Sequence, residues 1–131
     1  MPALTVQLAD LQAEGPRLEV RLTDSAGTAP AVAVDALVDT GATVTVVANH
    51  VIRQLHLSPM GTALVHTPSS SNVRCFKHLV RLMLPNGVSL ETVAIGTPLR
   101  GQHTQCLIGR DVLRNAVFAY TGNTNTFTLS I

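Results

Sequence analysis

The stretch ALVDTGATVTVV, residues 36–47, delivers one carboxylate, Asp39, from an apolar run into a turn of small residues. An Asp in that setting is either a turn former or a carboxylate held out for general acid–base chemistry. Gly41 permits close backbone approach and Ala42 leaves space beside the side chain, so the local sequence presents Asp39 rather than burying it. Asp-Thr-Gly alone is a common turn tripeptide and a weak signal. A second window adds weight: CLIGRDVL, residues 106–113, sets Leu107, Ile108 and Gly109 ahead of a short amphipathic stretch.

Other chemistry-bearing residues form no pattern. His50, His56, His66, His78 and His103 lack HExxH-like or clustered spacing, which predicts no metal site. Ser69, Ser70 and Ser71 have no GxSxG elbow around them. Cys75 and Cys106 stand in no CxxC-type arrangement and read as two free thiols of a reducing compartment.

The elements that must position Asp39 are mostly strands. Runs rich in Val, Leu and Thr alternate with a period of two in LTVQLADL, RLEVRLTD, AVAVDALVDT, VTVVANHVI, HLVRLMLP, LETVAIG and FTLSI. Turn residues separate them at 24–30, 84–88 and 120–126, with Asn86-Gly87 a strong hairpin signal. Helical spacing occurs in NHVIRQLHL, residues 49–57, and in GRDVLRNAV, residues 109–117. Between apolar flanks, the polar stretch around Ser69, Ser70, Ser71 and Asn72 reads as the tip of a hairpin spanning residues 65–76.

Composition narrows the function classes. A length of 131 residues predicts a single domain over 1–131. With 46% hydrophobic and 13% charged residues, the chain is globular and has more apolar surface than a small monomer easily hides, which points to a partner chain. A formal charge of +1, one Tyr and no Trp supply no basic, aromatic-studded track for nucleic acid. No window approaches the roughly 18 apolar residues of a membrane span, and the start has no signal-peptide pattern. The expected location is cytoplasmic, with excision from a longer precursor left open.

Asp39-Thr40-Gly41-Ala42, the Leu107-Ile108-Gly109 motif with Arg110-Asp111 after it, and the terminal NTFTLSI together resemble the retropepsin-like aspartic proteases, including their bacterial members. Order and spacing agree over most of the chain, with the hairpin of residues 65–76 in the place of a flap. The resemblance implies a mainly β fold, a closed retropepsin-like barrel lobe with one short C-terminal helix, acting as a homodimer on peptide without cofactor or metal. Asp39 would be the catalytic carboxylate, with Thr40 and Gly41 supporting the loop. Gly41, Ala42 and Thr43, with Ser69, Ser70, Ser71 and Asn72 of the flap, would meet substrate. Leu107, Ile108, Gly109, Arg110 and Asp111 would be structural. Viral relatives place an acid where this chain has Thr43, so the partner of Arg110 is undefined.

Chemistry requires the same partnership. Peptide hydrolysis of this type uses two carboxylates sharing a proton. Of the five Asp residues, Asp10, Asp24, Asp35 and Asp111 have no Thr-Gly or Ser-Gly after them. The second carboxylate would therefore come from a C2 mate, with activity highest below neutral pH. Alternative readings are a catalytically weak peptide-binding or dimerisation module of the same fold, and a protease that processes only its own precursor.

Overall fold

Residues of alternating polarity become strands because the pleat sends successive side chains to opposite faces. The computed structural model describes residues 2–67, 70–99 and 103–131. Ten strands appear among them: β1 (Ala3–Gln7), β2 (Arg17–Thr23), β3 (Val32–Val38), β4 (Val46–Ala48), β5 (Thr62–Thr67), β6 (Ser70–Met83), β7 (Ser89–Thr97), β8 (Cys106–Ile108), β9 (Val117–Thr121) and β10 (Thr126–Ser130). Short helices α1 (Leu11–Glu14), α2 (Asn49–Gln54) and α3 (Arg110–Leu113) interrupt them.

Six strands close into a barrel in the order β2-β3-β8-β4-β7-β6, with β6 returning to β2. Closure leaves no free edge around the barrel wall. Its interior is filled by every second residue: Leu18, Val20 and Leu22 of β2 and Val34, Ala36 and Val38 of β3 are buried, whereas Glu19, Arg21 and Ala33 are exposed. Each such buried Leu or Val contributes roughly 1.5–3 kcal/mol of transfer free energy. The β6–β7 hairpin turns through Leu84–Val88, where the Leu84 N–H donates to the Val88 carbonyl at 2.8 Å, as Asn86-Gly87 predicts.

A second sheet of three strands, β1-β10-β9, lies against the barrel. Phe127 and Leu129 of β10 are wholly buried, and the Phe118 and Phe127 rings sit 5.9 Å apart. The two ends of the chain thus meet in cis: β10 is central, with β1 on one side and β9 on the other.

Two elements differ from the sequence reading. LTVQLADL does not remain a strand, because Asp10 caps α1 by accepting the Ala13 N–H and Leu11 turns inward to full burial. The helical stretch at 109–117 stops at Leu113, since Val117 is captured into a ladder with Ser130. The 65–76 region is a β5–β6 hairpin in which Val65 faces Val73 and Thr67 faces Ser70. Ser69 lies outside the described residues, as do the side chains of Ser70, Ser71 and Asn72.

Candidate active site

Strands β3 and β8 run parallel, with Leu37 beside Leu107 and Val38 beside Ile108, so their C-terminal ends emerge together. A parallel pair needs a long crossover, which is why the two motifs are far apart in sequence and adjacent in space. The chain leaves β3 at Asp39, whose N–H donates to the Ile108 carbonyl at 2.9 Å. The loop that follows folds back on its own carboxylate. Asp39 Oδ1 accepts the Gly41 N–H at 2.9 Å, and the Ala42 N–H donates to the Asp39 carbonyl at 3.2 Å. The first bond fixes the rotamer of a half-buried side chain, and the second closes the backbone turn. A Cβ on Gly41 would stand 3.2 Å from Asp39 Oδ1, so a larger residue would press on the carboxylate.

The second motif locks this loop from behind. The Arg110 N–H donates to the Ala42 carbonyl at 2.9 Å, while the guanidinium donates to the Thr40 carbonyl at 2.7 Å and to Thr43 Oγ1 at 3.1 Å. Arg110 therefore has partners after all. In place of an acid, it takes a carbonyl and a hydroxyl of the Asp39 loop with its planar fork, and among the described residues no carboxylate forms a salt bridge with it.

Thr45 is the residue the sequence reading missed. It is fully buried, donates to Asp111 Oδ1 at 2.8 Å and accepts the Gly109 N–H at 3.1 Å. Asp111 also accepts from Thr92 Oγ1 at 2.5 Å and from the Val112 N–H at 2.9 Å, so it both flanks the start of α3 and ties β7 to the loop. The signal was present: Thr45 shares its strand parity with the buried Val47, and a hydroxyl at an inward position demands a partner. Gly109 is required by contact alone, since a Cβ there would lie 2.5 Å from the Val44 carbonyl carbon. Behind it, burial foremost and then the Asp111 charge push the Cys106 thiol up to about 12.

Ile108 is buried and Leu107 half-buried, the latter sharing with Leu37 the outer barrel face that leads to Asp39. Asp35, farther along that face, is held by Arg17 at 2.9 Å, and Arg17 also donates to Thr104 Oγ1 at 2.7 Å. A concavity among the described residues lies elsewhere. It is a cleft of about 710 Å³ between α2 and β6, lined by Asn49, Arg53, His56, Phe76 and His78 among others, and it includes no residue of the Asp39 loop. Asp39 is half-buried, and Thr40 and Gly41 next to it are exposed. No three His, Cys, Asp or Glu side chains among the described residues converge as a metal-binding group. No helix is long and apolar enough to cross a membrane.

Comparison with known proteins gives a consistent outcome. A profile of the family described as "gag-polyprotein putative aspartyl protease" matches residues 27–115, which contain both motifs. A search of curated protein sequences finds no match. Among solved structures, a retropepsin-like aspartic protease from Rickettsia conorii superposes with a TM-score of 0.62 at 13% identity, covering 97% of this chain and 90% of that one. The retroviral protease-like domain of Ddi1 from Leishmania major gives 0.50 at 17% identity, over 87% and 88% of the two chains. A foamy viral protease-reverse transcriptase, solved in complex with an RNA/DNA hybrid, gives 0.53 at 16% identity over 76% of this chain. The match spans only 12% of that viral chain. At such identities the likeness is one of fold.

Proposed function

Because the chain belongs to the gag-polyprotein aspartyl protease family and has the retropepsin-like fold, we propose that it is an aspartic endopeptidase active as a homodimer. One observation carries the reading: Asp39 is oriented by its own loop, through the Gly41 N–H on Oδ1 and the Ile108 carbonyl on its backbone, beside the exposed Thr40 and Gly41. A carboxylate used only as a turn former has no need of the brace that Arg110 supplies from the second motif and Thr45 from the exit of the loop.

In the dimer, two Asp39 carboxylates face each other and hold one proton between them, because two like charges at that distance do not both ionise readily. The charged carboxylate takes a proton from water as it attacks the scissile carbonyl. The protonated one donates to the carbonyl oxygen; the other then passes the proton it took from water to the leaving nitrogen, while the first recovers a proton from the tetrahedral diol as the C–N bond breaks. Gly41 and Ala42 border the substrate backbone. Thr40 and Thr43 are held by Arg110 and keep the loop in register. The β5–β6 hairpin serves as the lid, and an extended peptide lies beneath it with alternate side chains in pockets. Leu37 and Leu107 on the outer face adjoining Asp39 favour apolar side chains there.

The test is digestion of a diverse peptide pool at pH values between about 4 and 8, read by mass spectrometry, for the wild type and Asp39→Asn; that range brackets the loss of a proton shared by a carboxylate pair. The expected result is cleavage on the acid side, absent in the variant. Cleavage that survives Asp39→Asn would refute the assignment.

A further inference from the structure

We infer that the cleft between α2 and β6 is a binding site for a small aromatic carboxylate, whose charged head is taken by Arg53, His56 and His78 and whose ring lies against Phe76. The inference stands apart from the protease reading, because no residue that lines the cleft belongs to the Asp39 loop.

Charge and shape set the class of occupant. The lining contains no Asp or Glu, while Arg53, His56 and His78 bring nitrogen donors to it. Such a wall favours an anion, and the planar guanidinium fork matches the two oxygens of a carboxylate. Phe76, on β6, is 57% exposed and supplies an aromatic face to the same cleft, with Leu57 adding aliphatic surface. The cleft holds about 710 Å³. Sites for small organic ligands span roughly 300–1,000 Å³, so a bare inorganic anion would leave most of the space unfilled.

Three local departures from ordinary packing converge on this cleft. His78 is 6% exposed, and its Nδ1 is enclosed with no hydrogen-bond partner among the described residues. A bare lone pair costs less to enclose than an unpaired N–H, so the proton belongs on Nε2, the ring nitrogen left to serve an occupant. Gly96, buried in β7, makes room for that ring. A Cβ there would lie 2.7 Å from Asn49 Oδ1 and 3.7 Å from His78 Cδ2, so the missing side chain lets two polar groups of the lining close in on one spot. His56 adopts a left-handed backbone with φ 55° where α2 ends. Its N–H donates to the Arg53 carbonyl at 3.1 Å, and the Leu57 N–H donates to the Ile52 carbonyl at 3.3 Å. Helix ends of this form usually carry glycine, because an L side chain is strained there. A strained imidazole on the wall of a cavity points to a use for the side chain rather than for the turn.

The test titrates benzoate, phenylacetate and 3-phenylpropionate into the wild type, Arg53→Gln, His56→Gly and Arg114→Gln by isothermal calorimetry, with thermal midpoints recorded without ligand. Inorganic phosphate and 3-phenylpropionamide serve as the charge-only and ring-only probes. At least one of the three acids is expected to saturate a single site, with phosphate and the amide about tenfold weaker or more. Arg53→Gln should weaken the acid about tenfold or more, as loss of a charge-assisted contact predicts. His56→Gly should weaken it while the thermal midpoint does not fall, since glycine relieves the strained backbone; a residue needed only for the turn would show the reverse. Arg114→Gln removes an equal charge from outside the lining and should leave affinity unchanged. The inference is overturned if none of the acids saturates, or if phosphate or the amide binds as tightly as they do. Equal weakening by Arg114→Gln, wild-type affinity in Arg53→Gln, or a His56→Gly variant that binds normally or melts lower would overturn it as well.

Discussion

Thr45 and Asp111 stand 66 positions apart in sequence and are joined by a 2.8 Å bond from hydroxyl to carboxylate. The same hydroxyl receives the Gly109 N–H, so one buried side chain fastens the exit of the Asp39 loop to the start of α3. The Asp39 loop is therefore a clamp closed at three points, by Ile108 on Asp39, Arg110 on Thr40 and Thr43, and Asp111 on Thr45.

Removing the carboxylate of Asp111 leaves the Thr45 and Thr92 hydroxyls without their acceptor. Asp111→Ala is expected to cost about 2–4 kcal/mol, since each stranded buried hydroxyl loses on the order of 1–3 kcal/mol. Asp111→Asn, which retains one acceptor oxygen, is expected to cost roughly half as much. Urea unfolding midpoints measure both, and equal costs for the two variants would remove Asp111 from this role.

Gly109→Ala forces a methyl into the Val44 backbone. Backbone cannot rotate away as a flexible side chain would, so the loss is expected at about 3 kcal/mol or more, the upper range for overpacking. A thermal midpoint within a degree of the wild type would contradict the clash.

Arg110→Gln keeps polarity and length but loses the fork that spans Thr40 and Thr43. Because Arg110 is exposed, stability should change by less than about 1 kcal/mol. Peptide cleavage should fall about tenfold or more, in kcat rather than KM, as the loop loses its register. Unchanged kcat would make the guanidinium contacts incidental.

The thiols separate by environment. Cys106 is buried and its thiol is pushed up to about 12, whereas Cys75 is half-buried on the β5–β6 hairpin. A thiol reagent at pH 8 is expected to label one site per native chain, Cys75, and two after denaturation. The sign of the linkage follows: a thiol raised from 9.0 stays protonated in the fold while the unfolded chain ionises. Its contribution to stability is complete below pH 9 and is lost as pH rises toward 12. Cys106→Ala should flatten that alkaline decline, as read by unfolding at successive pH values.

Much of this architecture was legible in the chain. Period-two runs became β2, β3, β6, β7 and β10, and the two short motifs met where their order implied. What escaped the reading was set by pairing between distant segments. Nothing local in VFAYT distinguishes the end of a helix from a strand, and β9 exists because β10 lies beside it. Leu11 looked like the last inward residue of a strand until Asp10 capped a helical turn. Arg110 lost its expected acid and found a carbonyl, a partner no residue type can announce. Thr45 is readable in principle, as a hydroxyl on an inward position, but it lies two residues beyond Thr43, where the recognisable motif ends.

The parallel pairing of β3 with β8 has a consequence for synthesis. A nascent chain that has emerged only as far as β7 already contains Asp39, Thr40 and Gly41, but neither Ile108 to anchor the loop nor Arg110 to brace it. The Asp39 loop is thus fastened only once β8 and α3 have followed β7 out of the ribosome, and its carboxylate has no fixed setting before then.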